Sequence, residues 1–323
     1  MAIAALCLCA CTGGSGPSQE TDARLSFPPP SDAELNAIES DWAHRDLKAY
    51  DVDLVTTDTS SPDYDVRIYK HRVGNNAHYG AVTIPKTAQP GTVPVLLHAD
   101  GLAQQDPNMD LDQNLKMAGE LLQGVIYAVP VFRGRNLIYK GVTYTAAGDF
   151  CDAYDGAADD AIAFLSVVEQ KVAAANMDRV MVRGGSRGGT VALLLAMRDP
   201  RVKAAIAISA PTDFNRLEVR VRLDGQYRCQ FIDGKTAEQS RFKILASSPH
   251  YFAVLDSVLK VFIFHGSADA VVPVWNATEM ATQLQAQGVP VDLQIFEGYG
   301  HEDLGSSPEF RAAQRAAIGE LFQ

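Results

Sequence analysis

The segment Arg179–Thr190 reads R-V-M-V-R-G-G-S-R-G-G-T and predicts the fold of the whole chain. Its first part, Val180–Val182, is typical of a short buried strand, and the residues that follow fit the pattern G-x-S-x-G around Ser186. The apolar stretch Val191–Met197 then predicts a long helix. A strand, a sharp turn and a helix in direct succession can hold a serine side chain above the edge of a sheet.

A turn of this kind gives its central residue, Ser186, a strained backbone that lifts the side chain clear of the sheet. Glycines at 184 and 188 are expected because side chains there would block the approach of helix to strand. The backbone amide of Arg187 would lie at the helix N-terminus, aimed at an oxyanion formed beside Ser186. The alternative reading of the bare pattern is a tight turn before a core helix.

An aspartate and a histidine follow in the positions that a catalytic serine needs. Asp269 comes after the apolar run Lys260–His265, which predicts a strand buried on both faces. His301 comes after a second predicted strand, Val291–Phe296. In open α/β sheets the carboxyl ends of the strands carry the site, so Ser186, Asp269 and His301 are candidate nucleophile, acid and base.

The chain resembles the prolyl oligopeptidase-like group of α/β-hydrolases, which includes dipeptidyl and acylaminoacyl peptidases and related esterases. The residues that carry the resemblance are Val131–Gly134, Gly184–Gly189, His265–Gly266, Asp269, Val272–Pro273 and Gly300–His301. It covers the chain from about Val93 to the end and is specific for the fold and the triad. It implies an α/β-hydrolase fold: a mostly parallel central sheet with helices on both faces and an inserted lid segment.

The same resemblance places a second oxyanion donor in the loop after the first central strand, Val93–His98. The resembled group has a His-Gly-Gly loop there, whereas this chain reads His98-Ala99-Asp100-Gly101. The backbone amide of either Asp100 or Gly101 is the candidate donor. The Asp100 carboxylate should point away from an oxyanion because of charge repulsion. The alternative is an ordinary turn at a strand end.

The stretch Phe214–Ser248 shows no clear periodicity and follows a predicted strand at the edge of the triad, so we expect a lid or substrate wall there. Arg216 and Arg220 are candidate ligands for an acidic group on the substrate. The competing interpretation is a solvated charged helix whose arginines are offset by Glu218 and Asp224. Tyr139, in a predicted long loop at 133–149, is a further candidate for substrate binding.

Cys151 and Cys229 are the cysteines that lie beyond the N-terminal leader. Both fall in segments expected above the edge of the sheet. In an exported protein they would form a disulfide that ties the lid to the loop after the second central strand. In a cytosolic protein they would be two thiols.

The N-terminal segment 1–11 reads M-A-I-A-A-L-C-L-C-A-C and is apolar. Leu8-Cys9-Ala10-Cys11 resembles a bacterial lipobox, so 1–11 is expected to be a lipoprotein signal peptide and Cys11 its lipidated residue. A flexible linker over 12–30 and a single catalytic domain over 31–323 follow. Basic residues, which a signal peptide carries first, are missing from this leader, and the alternative is the apolar tail of a cytosolic protein.

Other segments predict the sheet edge and the supporting helices. We expect antiparallel edge strands at 52–57, 66–69 and 79–84 and helices at 111–122 and 152–172. His44, His71 and His78 are predicted to lie at the surface, and Asp159 and Asp160 to be solvated or packing-turn charges of a helix.

Composition narrows the class of partner. The chain has 28 Lys and Arg against 39 Asp and Glu, a net charge of −11, which argues against nucleic acid as a partner because binding needs a basic surface. We expect no cofactor and no metal, because the triad chemistry needs none and no cluster of metal ligands is visible. Membrane contact is expected only through the lipid anchor, and the oligomeric state stays open.

The sequence therefore predicts a serine hydrolase that cleaves an ester or peptide bond of a small molecule through an acyl-enzyme. The alternatives are a carboxylesterase or acetyl-sugar esterase and, in a different class, a binding lipoprotein that keeps the fold without catalysis. An exported, membrane-anchored enzyme is expected from the leader, and a cytoplasmic one if the leader is not a signal.

Overall fold

The computed structural model of the protein describes residues 28–102, 106–222 and 224–322. The leader 1–11 with Cys11, and 12–27 of the linker, lie outside these residues. The strands are β1 (Tyr50–Asp58), β2 (Tyr64–Val73), β3 (Asn76–Pro85), β4 (Val93–Ala99), β5 (Asn108–Asp110), β6 (Ile126–Pro130), β7 (Asn136–Tyr139), β8 (Val142–Thr145), β9 (Ala175–Gly185), β10 (Val202–Ile208), β11 (Lys260–Gly266) and β12 (Val291–Phe296). The helices are α1 (Asp32–His44), α2 (Leu111–Ala118), α3 (Asp155–Lys171), α4 (Arg187–Arg198), α5 (Leu217–Arg222), α6 (Asp224–Tyr227), α7 (Ala237–Ala246), α8 (Trp275–Ala286) and α9 (Pro308–Phe322).

The main sheet has nine strands in the order β1-β2-β3-β6-β4-β9-β10-β11-β12. The first three strands and β6 pair antiparallel, and every later neighbour from β6 to β12 pairs parallel. This arrangement confirms the predicted fold class and the antiparallel edge. Parallel neighbours bring their carboxyl ends to one edge, which is where Ser186, Asp269 and His301 follow their strands.

Alternation along the central strands divides the core between the two faces of the sheet. In β4, Val95 and Leu97 belong to the core cluster that also holds α3, α4 and α8, whereas Leu96 belongs to the cluster on the opposite face with α2 and α9. Successive side chains of a strand point to opposite faces, so a strand buried on both faces reads as a continuous apolar run. This explains the uninterrupted apolar patterns of β4 and β11.

Helix α1 begins with a capping box. Ser31 and Glu34 form a reciprocal capping box in which the Ser31 side chain accepts from the Glu34 amide. Ile38 is buried in the core, and Trp42 donates its indole N–H to Asp155 at 2.9 Å.

Among the helices of the described chain, none combines the length and apolar character needed to cross a membrane.

The prediction of a long loop at 133–149 is wrong, because this segment contains two strands. β7 and β8 form a hairpin, and β5 joins β7 to complete a three-stranded second sheet. Residues Asn136–Tyr139 and Val142–Thr145 are too short to produce a clear alternating pattern, so only the pairing in the folded chain stabilises them.

The segment 214–248, whose sequence shows no clear periodicity, is largely helical. It contains α5, α6, a π-helical turn at Arg228–Ile232 and α7. Phe214, Tyr227 and Phe231 pack with Tyr154 in an aromatic cluster of their own. Cys151 and Cys229 form a disulfide with a Cα–Cα distance of 5.2 Å, so the segment is tied covalently to the residues before α3.

A network of buried charges joins α3 to four other segments. The Asp155 carboxylate is fully buried and lies 2.9 Å from Arg45, 3.3 Å from Arg198 and 3.0 Å from Lys243. Asp152, Asp159 and Asp160 add ion pairs to Arg133, Arg45 and Arg198. We call these four aspartates and four cations the α3 charge network.

Two expectations about this region need correction. Of the two alternatives for Asp159 and Asp160, solvated or packing-turn charges, the solvated one is wrong, because these residues are only 8% and 1% exposed. His71 and His78 face each other across β2 and β3 and are each 2% exposed, against Phe164 and Asp160. Burial of these polar residues depends on partners distant in sequence, which local pattern does not show. His44 is exposed as expected.

Candidate active site

Ser186 occupies a sharp turn between β9 and α4. Its backbone has φ 53° and ψ −122°, a strained conformation for a residue other than glycine, and its amide donates to the Ile208 carbonyl at 2.8 Å. A Cβ added at Gly188 would lie 2.0 Å from the Ala99 carbonyl oxygen, so only glycine permits this contact between helix and strand. The turn predicted around Ser186 is therefore present, with α4 beginning at Arg187.

His301 and Asp269 are in direct contact. The Nδ1 atom of His301 lies 2.7 Å from Oδ2 of Asp269. The other carboxylate oxygen of Asp269 accepts from the amides of Val271 at 2.9 Å and Val272 at 2.7 Å. The carboxylate is thus held on both sides, and the hydrogen bond at Nδ1 leaves Nε2 of His301 available for a substrate-side partner.

A second histidine, His265, also contacts this carboxylate. Its Nε2 donates to the Val272 carbonyl at 2.8 Å and lies 3.4 Å from Oδ2 of Asp269, while its side chain is fully buried. Burial by itself raises the pKa of Asp269, but hydrogen bonds from His265, His301 and the Val272 amide hold it well below its usual range. Asp269 is therefore ionised at neutral pH.

One cavity of about 550 Å³ is lined by both Ser186 and His301. Its other described walls come from the ends of β4, β9 and β10, from β5 and α2, from Arg135, and from the residues that follow His301. The lining includes Asp100, Gly101, Asn114, Met117, Arg135, Arg183, Ile208, Ser209, Glu302 and Phe310. Its lining residues Met109, Leu304 and Phe310 belong to the core cluster that holds α2 and α9, and the cavity brings the predicted nucleophile and base together.

The two predicted oxyanion segments are joined through the Arg187 side chain. Its guanidinium is buried, donates to the Asp100 carbonyl at 3.1 Å and to the Gly101 carbonyl at 2.6 Å, and lies 4.8 Å above the Phe132 ring. Burial, followed by the nearby charge of Arg135, lowers the pKa of Arg187 to about 9. The side chain thus fixes the loop after β4 against the turn that holds Ser186.

Asp100 lines the cavity, and its carboxylate lies 3.5 Å from Arg135 and 3.9 Å from Arg187. The two guanidinium groups offset its negative charge. The expected repulsion between this carboxylate and an oxyanion is therefore reduced by ion pairing.

The predicted substrate-binding residues lie outside this cavity. Tyr139 donates to Asp58, and Arg216 pairs with Asp213 and Glu279 and stacks over Trp275 at 4.1 Å. Arg220 is 9% exposed and makes contacts within the fold. No described residue of 214–248 lines the cavity of Ser186, so the geometry assigns these side chains to structural pairs.

Sequence reasoning missed the residues that form the floor and one wall of the cavity. His98 and Arg183 lie side by side at its floor, and Asn114 and Met117 of α2 form the wall. Arg183 gave a usable signal: a charged residue directly follows the buried run Val180–Val182, at a position where a core strand would carry an apolar side chain.

The strand order, the turn at Ser186 and the order Ser, Asp, His along the chain together define an α/β-hydrolase. A sequence model of the prolyl oligopeptidase family (Peptidase_S9) matches residues 110–322. The chain therefore belongs to the prolyl oligopeptidase family.

Solved structures and a curated relative agree with this fold. Acetyl xylan esterase 1 from Thermoanaerobacterium sp. JW/SL YS485 is 18% identical with a TM-score of 0.63, covering 95% of this chain and 99% of that one. An acylaminoacyl peptidase is also 18% identical, with a TM-score of 0.60, covering 80% of this chain and 41% of that one. A probable isoprenylcysteine alpha-carbonyl methylesterase from Oryza sativa subsp. japonica is 24% identical over 125 residues, which span 29% of its length.

Proposed function

We propose that the protein is a carboxylic ester hydrolase in which Ser186 is the nucleophile, His301 the general base and Asp269 the residue that orients His301. The observation that carries this proposal is the cavity that Ser186 and His301 share, with His301 held by Asp269 at 2.7 Å. Ser186 attacks the acyl carbonyl and its proton passes to Nε2 of His301. The ionised Asp269 stabilises the imidazolium that forms, and His301 then protonates the leaving alkoxide.

The oxyanion of the tetrahedral intermediate is bound by two backbone amides, that of Arg187 and that of Asp100 or Gly101. The start of α4 at Arg187 supports the first, because the first amides of a helix have no partner within it. The Arg187 guanidinium supports the second by holding both carbonyls of the loop. Loss of one such donor typically costs about 3 kcal/mol of transition-state stabilisation. Water then hydrolyses the acyl-enzyme.

Ester cleavage is favoured over peptide cleavage by the extent of the structural match. The similarity to acetyl xylan esterase 1 runs through nearly all of both chains, whereas the acylaminoacyl peptidase is matched over 41% of its length. Membership of the prolyl oligopeptidase family favours the second candidate, an aminoacyl peptidase. A binding lipoprotein without catalysis is disfavoured by the preserved serine, aspartate and histidine.

The test combines a fluorophosphonate probe with two substrate classes. We expect the wild-type protein to be labelled, and the Ser186→Ala variant to lose labelling with an unchanged melting temperature. Ser209→Ala is the matched control, because Ser209 lines the same cavity from the end of β10. Labelling that persists in Ser186→Ala would overturn the assignment of the nucleophile.

The substrate class is decided by comparing p-nitrophenyl acetate with aminoacyl-p-nitroanilides on the same preparation. We expect kcat/KM to be higher for the acetate ester, relative to the spontaneous hydrolysis of each compound. A preference for the anilides would replace the esterase by the peptidase. If a preparation that reacts with the probe hydrolyses neither class of substrate, both the esterase and the peptidase function are contradicted.

We further propose that the protein is exported and anchored through a lipid on Cys11. The lipobox-like Leu8–Cys11 supports this, and so does the Cys151–Cys229 disulfide, because such bonds persist mainly in oxidising compartments. Mass spectrometry of the native protein should find a lipidated Cys11 as the first residue. An intact Met1 terminus would contradict it.

A further inference from the structure

Arg183 lies at the floor of the active-site cavity, on a face of the sheet that is otherwise apolar at Met181. In β9, Met181, Arg183 and Gly185 alternate with residues of the other face, and Met181 belongs to the core beside α2 and α9. Arg183 therefore lies on the same face as Gly185, directly before Ser186, and both line the cavity. Its neighbour on β4 is His98, which also lines the cavity.

The polar contacts of Arg183 are with uncharged groups. Its Nη1 lies 2.9 Å from Nδ1 of His98, and its Nε is buried without a hydrogen-bond partner. Burial, and the charge of Arg183 itself, hold the pKa of His98 well below its usual range. Burial raises the pKa of the adjacent Tyr127 to about 12, so this phenol is neutral too.

Within the described residues Arg183 has no carboxylate partner. The carboxylate close by, that of Asp100, is already shared by Arg135 at 3.5 Å and Arg187 at 3.9 Å. Two guanidinium groups, those of Arg135 and Arg183, thus line the cavity beside one carboxylate, that of Asp100, which also pairs with the buried guanidinium of Arg187 outside the lining. Glu302 and Asp110, which also line the cavity, are exposed at its mouth.

A guanidinium in a half-buried site without an anion is unfavourable, since charges removed from water are normally paired. The planar fork of an arginine binds a carboxylate through two parallel hydrogen bonds. In an extended strand the Cα of Arg183 is about 10 Å from that of Ser186, at ~3.3 Å per residue. A carboxylate a few methylene groups from the reacting carbonyl would bridge that gap.

We propose that Arg183 binds a carboxylate of the substrate, so that the enzyme prefers esters that carry a second, anionic acid group. This proposal rests on the proposed esterase function and names the substrate class of the same site. The carboxylate belongs either to the acyl part, as in a half-ester of a short dicarboxylic acid, or to the leaving group. In both cases Arg183 binds a carboxylate, and two pairs of substrates distinguish the acyl part from the leaving group as its source.

In the first pair, p-nitrophenyl hydrogen glutarate is compared with its methyl ester, which is neutral. In the second pair, 4-acetoxybenzoate is compared with methyl 4-acetoxybenzoate. We expect the wild-type enzyme to show a kcat/KM at least about tenfold higher for the anionic member of one pair, mainly through KM. Raised ionic strength should reduce this preference and leave the neutral ester unaffected.

The variants are Arg183→Gln, which removes the charge, and Arg183→Lys, which keeps it without the fork. Arg183→Gln should lose at least about tenfold more kcat/KM on the anionic ester than on the neutral ester, and Arg183→Lys should recover part of the difference. Arg179→Gln is the matched control, because Arg179 lies in the same strand and contacts Phe322, away from the cavity. It should retain the wild-type ratio of anionic to neutral turnover.

Fluorophosphonate labelling of each variant measures the concentration of intact active sites. A loss of activity that is due to misfolding is thereby distinguished from a change in specificity. Glutarate should also inhibit hydrolysis of p-nitrophenyl acetate by the wild-type enzyme competitively, and far more weakly in Arg183→Gln. Equal turnover of both members of both pairs, or an equal loss on both in Arg183→Gln, overturns the role of Arg183 while the esterase stands. Absence of labelling and of ester turnover in the wild-type enzyme overturns both proposals.

Discussion

Two buried aspartates of this protein, Asp269 at the candidate active site and Asp155 in the α3 charge network, have opposite kinds of partner. Asp269 contacts two imidazoles and two backbone amides. Asp155 contacts three permanent cations, Arg45, Arg198 and Lys243, and the Trp42 indole. For both carboxyls burial raises the pKa, and the partners then lower it below the usual range.

The difference shows what each aspartate is suited to do. A carboxylate whose partner is a neutral imidazole can stabilise a positive charge that appears on that imidazole during a reaction. A carboxylate already neutralised by arginine and lysine cannot, but it joins the segments that supply those cations. Here these are the end of α1, α4 and α7. Removing partners from the two regions should therefore change different measured quantities.

The largest effect is expected for His301. His301→Ala removes the proposed base, so kcat/KM for an ester should fall by about 10⁴-fold or more while the melting temperature changes little. His265→Asn is the matched control: His265 contacts the same carboxylate but does not line the cavity, so activity should stay within about tenfold of wild type. An equal loss of activity in both variants would show that the imidazoles act as one unit.

A large effect on stability, and a small one on activity, is expected for Asp155. Asp155→Asn leaves buried cations without their anion, which typically costs about 3–5 kcal/mol in the free energy of unfolding, measured by urea denaturation. The folded variant should keep kcat within about threefold of wild type, since no described member of the network lines the cavity. Asp41→Asn is the control, because Asp41 pairs with the same Arg45 at the surface and should cost less than about 1 kcal/mol. Equal destabilisation by both substitutions would contradict the role given to burial.

A smaller, pH-dependent effect is expected for His71, which lies beside the network. Burial, reinforced by His78, lowers its pKa from 6.5 to about 4 in the folded protein. Between these two pKa values the unfolded chain binds a proton that the folded chain does not. The contribution of neutral His71 to the free energy of unfolding is therefore fully present above pH 6.5 and is lost as the pH falls to about 4. The loss from this residue is at most about 3 kcal/mol.

His71→Phe should therefore reduce the slope of unfolding free energy against pH in that window. His98, whose pKa is also lowered, contributes in the same direction, so part of the slope should remain. Substitution of the exposed His44 by phenylalanine should leave the slope unchanged. A slope that survives His71→Phe in full would show that His71 is solvated.

The parts of the site that follow strand ends could be predicted from the sequence. Ser186, Asp269 and His301 each follow the carboxyl end of a strand within a few residues, and that end has a fixed place in a parallel sheet. The side-chain role of Arg187 could not be predicted, because its partners Asp100 and Gly101 lie in another loop. The same reason explains the errors at Asp159, Asp160, His71 and His78, which are buried by residues distant in the chain.

The lid predicted over the site is a second case in which the sequence could not show the tertiary contacts. A long stretch without periodicity, 214–248, predicted a lid, yet it folds into helices anchored by Cys229 and Lys243 away from the cavity. One wall of the cavity comes instead from α2, a short helix in a region that carried no chemical signal.

The sequence by itself determined the central parallel strands and the helices between them, the turn at Ser186 and the succession of Ser186, Asp269 and His301, because these depend on short-range periodicity and on local backbone conformation. Only the tertiary structure decided which charges are neutralised and which stay open to a ligand. Asp155 and Arg183 are both charged residues in buried elements, and nothing in their neighbours along the chain distinguishes them. Charge pairing acts through space over a few ångströms, so the folded chain alone shows that Asp155 has its cations and that Arg183 faces the cavity without a carboxylate among the described residues.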